Sequence, residues 1–359
     1  MSSQAEVISQ DQLDARQQGG KIKCLVWDLD HTLWNGVLLE NSDVHLRDQV
    51  ISVMEELDAR GILQSIASKN DYDHAMDKLK EYGIDHFFIY PQINWNRKSL
   101  SIQQIAESIN IGIDSLAFID DQPFEREEVA HTHPSVLCLD AEELLQILDY
   151  PAFKPRFVTE DSKLRRVLYQ TDLERKKVEE EYVGPQADFL ASLQMKVRIG
   201  RVQPGDLQRA EELTVRTHQL NTTGYTYSYE ELDELRQSDS HLLLIASLDD
   251  KYGTYGKIGL TMLECREEVW TIKLLLLSCR VMSRGIGGIL INQLLRMAKE
   301  AQVRLRAEFL PNSRNRMMYI TYKFAGFQEV QKQGNLVILE HDVSLIPAAP
   351  EYVDVEVSL

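Results

Sequence analysis

At 359 residues the chain is long enough for two domains, each with its own core. A formal charge of −17 excludes broad electrostatic binding to nucleic acid or anionic membranes, while leaving room for a local basic pocket around a phosphate. No apolar run reaches membrane-spanning length and the first twenty residues lack the apolar core of a signal peptide, so a cytoplasmic protein is expected.

Residues 1–20 are rich in Gln, Ser and Asp, end in Gly19-Gly20, and read as an N-terminal tail or a short frayed helix. The next run, Lys23 to Asp28, has the apolar, β-compatible character of a buried parallel strand and ends in the pair Asp28 and Asp30. Asn35-Gly36 between apolar residues predicts a small hairpin flap over 34–40. A helix is expected over 46–60, stopped by Gly61, then a strand over 62–67 ending at Ser68. A helix over 73–82, a short strand over 87–90, a helix opening at Lys98 and a strand over 116–119 complete the pattern. That last strand runs into Asp120-Asp121. Strands alternating with helices of this length imply a doubly wound parallel sheet over residues 21–150.

In such a sheet the strand ends lie along one edge, so Asp28, Asp30, Ser68, Lys98, Asp120 and Asp121 can meet. Clustered carboxylates repel unless a cation neutralises them, and oxygen-only ligands suit Mg²⁺. A carboxylate can attack a phosphoryl group, a hydroxyl and an ammonium can hold its oxygens, and a second carboxylic acid can protonate the leaving oxygen.

Leu25-Val26-Trp27-Asp28-Leu29-Asp30-His31-Thr32 resembles the first motif of the haloacid dehalogenase-like (HAD-like) phosphatase superfamily. The resemblance implies Asp28 as nucleophile and Asp30 as acid/base, with Asp30 also lending a backbone carbonyl to the metal. It places Ser68 and Lys98 as phosphate-binding residues and Asp120-Asp121 in the fourth motif. There Asp121 is favoured as the direct metal ligand and Asp120 as the partner of Lys98, although the sequence does not separate the two. His31 is expected to shape the loop. The intervals between motifs are too short for an inserted cap domain, so a capless enzyme is expected, open to a group on a protein-borne arm.

From Tyr150 the character changes, and residues 151–194 read as a helical connector with a charged helix over 161–181. Residues 195–345 begin a second pattern: a strand over 195–201, helices, then strands over 242–247, 257–264 and 269–277. The run Arg284-Gly285-Ile286-Gly287-Gly288 then leads into a helix. A glycine-rich turn entering a helix exposes N–H groups where a phosphate can dock, which nominates Arg284, Gly285, Gly287 and Gly288. The order of elements resembles the GNAT-type acyltransferase fold, an α+β domain whose glycine loop holds the phosphates of CoA or of a pantetheine arm. Met282 departs from that family's usual Gln or Arg. Residues 346–359 are expected to be a loose C-terminal tail.

Together the two halves resemble the FkbH-like proteins. The stretches 27–36, 118–126, 217–224 and 278–282 carry the resemblance, with His218 where Asn is more usual. The family makes glyceryl-acyl carrier protein for polyketide biosynthesis from 1,3-bisphosphoglycerate. The resemblance therefore implies a Mg²⁺-dependent glyceryl transferase and phosphatase whose partner is the phosphopantetheine arm of an acyl carrier protein. Of the four cysteines, Cys279 reads either as a thiol that holds the acyl group or as a small core residue, and Cys24 reads as structural. The rival expectations are a phosphatase of another phosphorylated metabolite or protein, and a CoA-dependent N-acyltransferase.

Overall fold

The computed structural model describes residue 12 and residues 16–41, 43–217, 219–348 and 350–359. His218 and most of the expected N-terminal tail lie outside these residues. The chain forms two compact units that divide between Gln170 and Thr171, within the helix Arg165–Glu181.

Unit 1 is built on five parallel strands: β1 (Cys24–Trp27), β4 (Leu63–Ser68), β5 (Gln92–Ile93), β6 (Leu116–Asp120) and β7 (Leu137–Asp140), ordered β5-β4-β1-β6-β7. β1 is buried on both faces: Leu25 and Trp27 enter one core, Cys24 and Val26 the other. That is why it reads as a continuous apolar run rather than an alternation. The crossover helices are α1 (Val50–Ala59), α2 (Tyr72–Glu81), α3 (Lys98–Ile109) and α4 (Pro123–Thr132). No domain is inserted between Asp30 and Ser68 or between Ser68 and Lys98; one helix and short pieces fill each interval.

Three expectations change here. The hairpin pairs β2 (Trp34–Asn35) with β3 (His45–Leu46), so Gly36, at φ 99°, opens a longer loop instead of a two-residue turn. The strand expected over 87–90 is replaced by a 3-10 turn at Asp85–Phe87 and the short β5, because Tyr90 takes a left-handed φ of 49° before Pro91. The expected tail is tied down at Gln12, whose amide donates to Val136 O at 2.8 Å and accepts from Cys138 N at 2.9 Å. Arg16 also pairs with Glu143 at 2.7 Å.

Unit 2 carries an eight-stranded mixed sheet ordered β13-β14-β12-β11-β10-β9-β8-β15. Its strands are β8 (Met195–Arg201), β9 (His241–Asp250), β10 (Gly253–Cys265), β11 (Val269–Leu277), β12 (Arg304–Phe309), β13 (Gln328–Gln333), β14 (Leu336–His341) and β15 (Val353–Ser358). β11 also alternates between two cores, with Leu274 and Leu276 in one and Leu275 and Leu277 in the other. The last residues are not loose: β15 runs parallel to β8, and its Val353, Val355, Val357 alternation is the strand period that a tail assignment overlooked.

β11 and β12 pair in parallel only over Val269–Ile272 and Arg304–Ala307. Beyond that the chain segment 220–222 enters between them. Leu277 N donates to Leu220 O at 2.8 Å, Thr222 N to Leu275 O at 3.1 Å, and Leu310 N to Thr222 O at 3.0 Å. Asn315 Nδ2 fastens the insertion by donating to Asn221 O at 3.1 Å and Leu310 O at 2.9 Å.

Candidate active site

In unit 1 the strand ends deliver Asp28, Asp120 and Asp121 so that one oxygen from each carboxylate lies within 4.8 Å of the others. Lys98, at the first position of α3 and 4% exposed, donates to Asp28 Oδ1 at 2.7 Å and also to Asp120 Oδ2. Burial alone would lower the Lys98 pKa, but the two carboxylates outweigh it and lift it above its ordinary value. Burial, followed by repulsion from Asp28, holds Asp120 and Asp121 above the usual carboxylate range, in Asp120 against the pull of Lys98.

Thr32 ties the cluster together: its hydroxyl donates to Asp28 Oδ2 at 3.4 Å and accepts from Asp121 N at 3.0 Å. Asp120 Oδ1 accepts from Gln122 N at 2.8 Å. One oxygen remains over: Asp121 Oδ1 is buried with no hydrogen-bond partner. Three carboxylates facing one ammonium, with an orphaned anionic oxygen among them, form an all-oxygen donor set that fits a hard divalent cation such as Mg²⁺.

The Asp30 carboxylate stands apart from this trio. It accepts from Trp34 Nε1 at 2.8 Å, Leu38 N at 3.1 Å and Asn70 Nδ2 at 3.2 Å. Burial raises its pKa above the usual carboxylate range despite the bonds from Trp34 and Leu38. Its side chain is thus not among the three carboxylates that come together. Ser68 ends β4 at 3% exposure. His31 adopts a left-handed φ of 55° with its side chain exposed, and its N–H donates to Gly36 O at 3.2 Å, as a loop-shaping residue would.

Sequence reasoning missed Trp34, Leu38 and Asn70 as holders of Asp30. The only sequence cue was the position of Asn70 two residues after Ser68, at the same sheet edge. Arg126, another omission, braces the fourth motif by donating to Asp120 O at 2.8 Å while pairing with Asp140 at 2.8 Å.

In unit 2 the glycine loop opens the helix Ile286–Glu300, with Gly285 at φ 73°. A cleft of about 320 Å³ lies against it, lined by Gly285, Gly287, Gly288, Met282, Phe324 and Pro347 among others, and no charged side chain lines it. Arg284, expected to meet a phosphate there, is turned away: 4% exposed, it pairs with Glu179 at 2.9 Å and lies over the Phe189 ring. Among the described residues, no arginine therefore lines the cleft beside these glycines. Cys279 is exposed on a 3-10 turn, Cys279–Val281, at the end of β11, whereas Cys24 is fully buried and its thiol pKa is pushed up by burial.

No protein-family model matches the chain, and no curated protein matches it. Among the solved structures that match parts of it are a phosphatase domain and N-acetyltransferases. The first is the N-terminal part of a Bacteroides fragilis protein containing a phosphatase domain, complexed with Mg. It is 29% identical at a TM-score of 0.31, with 40% of this chain and 42% of that one covered. The chain thus spans less than half the length of that structure. The ribosomal-protein-S18-alanine N-acetyltransferase of Escherichia coli is 15% identical at a TM-score of 0.33, over 42% of this chain and 96% of its own. The PaiA N-acetyltransferase of Thermoplasma acidophilum, in complex with coenzyme A, is 18% identical at a TM-score of 0.34, over 40% and 98%.

Proposed function

We propose that this chain is an enzyme whose residues 21–150 cleave a phosphate ester and whose residues 195–345 handle an acyl group. The buried Asp28–Lys98–Asp120 array beside the orphaned Asp121 oxygen carries the phosphoryl half of this reading. Asp28 attacks phosphorus, the bond to the ester oxygen breaks, and the proton held at Asp30 passes to that oxygen; water then clears the aspartyl phosphate. Lys98 holds phosphoryl oxygens and balances Asp28. Mg²⁺ held by Asp28, Asp120 and Asp121 would neutralise the remaining carboxylate charge and polarise the phosphoryl group.

The finer reading rests on the resemblance to FkbH-like proteins: a glyceryl thioester is made on an acyl carrier protein from 1,3-bisphosphoglycerate. A thiolate attacks the acyl carbon of the mixed anhydride, the bond to the C1 phosphate breaks, and phosphate leaves. The C3 phosphate ester is then the substrate of Asp28. The exposure of Cys279 supports it as the first thiol, ahead of the pantetheine thiol. The test is to incubate the protein with Mg²⁺, 1,3-bisphosphoglycerate and a holo carrier protein and weigh the carrier. Gain of one unphosphorylated glyceryl group is expected. Phosphate release without any gain in mass would leave the plain phosphatase, and full transfer by Cys279→Ala would remove the enzyme thioester.

A further inference from the structure

The cleft of unit 2 is lined by side chains that have little polar capacity to spare. Among the described residues that line it, only Asn292 and Thr321 carry polar side chains, and both are engaged within the protein. Asn292 Nδ2 donates to Pro347 O at 2.5 Å, while its Oδ1 accepts from Arg296 Nε at 3.2 Å. Thr321 Oγ1 donates to Met317 O at 2.9 Å. Leu277, Ile289, Leu295 and Met318 supply a buried apolar wall. Met282, Met317 and Phe324, at 44, 49 and 86% exposure, carry the apolar lining out to solvent.

Close packing within the unit accounts for two of the glycines beside this cleft. A Cβ on Gly287 would meet Thr321 Cγ2 at 3.1 Å and Leu277 Cδ1 at 3.3 Å, and one on Gly285 would lie 2.6 Å from Tyr352 Oη. With Arg284 held by Glu179, a phosphate entering here would meet helix N–H groups beside an apolar wall and, among the described residues, no counter-charge in the lining. Burying charge without a partner is unfavourable, whereas each buried methylene group is favourable. An apolar cavity of about 150 Å³ takes a six-carbon ring, so a cleft of about 320 Å³ holds roughly a dozen carbon atoms. Met282, Met317 and Met318 are unbranched and polarizable, and such side chains adapt to a flexible chain.

We propose that this cleft binds a small uncharged molecule with an aliphatic chain of about ten carbons, in preference to a phosphate-bearing ligand such as CoA. Such binding requires neither phosphate release nor thioester transfer, so it is tested apart from both.

The test follows the methionine methyl signals of the isotope-labelled full chain by NMR during titration with 1-butanol, 1-hexanol, 1-octanol and 1-decanol, and separately with decanoate and with CoA. The signals of Met282, Met317 and Met318, assigned from Met282→Leu, Met317→Leu and Met318→Leu, should shift with each alcohol. Kd should fall about fourfold per added methylene group, the equivalent of ~0.8 kcal/mol. Met317→Asp places a charge at a half-exposed position and should weaken 1-decanol about tenfold, a loss of ~1.4 kcal/mol. Phe324→Ser, at a more exposed position of the lining, should weaken it as well. A Kd that does not change with chain length, or shifts confined to other methionines, would overturn the proposal. So would decanoate binding more tightly than 1-decanol, or CoA moving the same three signals at lower concentration than 1-decanol.

Discussion

Among the described residues, Lys98 is the cation that touches both Asp28 and Asp120, and its ammonium is buried with them. Lys98→Met should lower phosphate release about a hundredfold or more if Lys98 holds phosphoryl oxygens as proposed; steady-state phosphate assays measure it. The residues of this trio were legible because each closes a strand or opens a helix within a recognisable motif. Asn70, which helps hold Asp30, was not, because its role depends on a contact across 40 positions that no local pattern encodes. Arg284 misled for a related reason: its neighbours in sequence are glycines, but its partner is Glu179 on a distant helix.

Another residue makes stability depend on pH. His341 is 5% exposed with Nδ1 lacking a partner, and burial holds its pKa below the ordinary 6.5. The unfolded chain therefore binds its proton first. The contribution of neutral His341 is complete above pH 6.5 and declines as pH falls from there through the depressed folded-state value. Urea titrations at stepped pH should show a shallower acid-side loss of stability in His341→Gln than in the parent protein.

Among the elements, the strands buried on both faces and the periodic helices were readable. The short ones were not: β5 has two residues and owes its place to a left-handed Tyr90, and β2 and β3 are as brief. Element docking in unit 2 relies on a buried charge. Arg175, on the helix Arg165–Glu181, donates to Asp250 at 2.8 and 2.9 Å and lies 3.7 Å from the centre of the Tyr255 ring. The Asp250 side chain is 0% exposed. Arg175→Met strands that carboxylate, and a loss of about 3–5 kcal/mol is expected in denaturant unfolding. Asp250→Asn combined with Arg175→Met should recover part of it, since the neutral amide is cheaper to bury.

At the scale of the whole molecule, the α/β organisation into a doubly wound parallel sheet followed by an α+β unit was legible from the alternation of elements. The cleft beside the helix Ile286–Glu300 was not, since the orientation of Arg284 and the course of Pro347 depend on packing. Unit 1 concentrates three carboxylates in a chain already at −17, so a divalent cation should stabilise the fold as well as the chemistry. Added Mg²⁺ is expected to raise the thermal midpoint of the wild-type protein, by an amount that grows with concentration, and to do so far less in Asp121→Asn. Chelation should stop phosphate release in the former and be reversed by Mg²⁺.

The insertion of residues 220–222 between β11 and β12 has a kinetic consequence. The gap in that sheet is filled by a segment whose partners, Leu275 and Asn315, lie 53 and 93 positions along the chain from Thr222. Closing such non-local contacts costs loop entropy before any bond repays it, so this seam is a late event in assembly. Contacts made after the folding barrier govern how fast the native state comes apart. Asn315→Ala should therefore accelerate unfolding of unit 2 in stopped-flow experiments while leaving its refolding rate nearly unchanged, which makes one amide a latch on the lifetime of the fold.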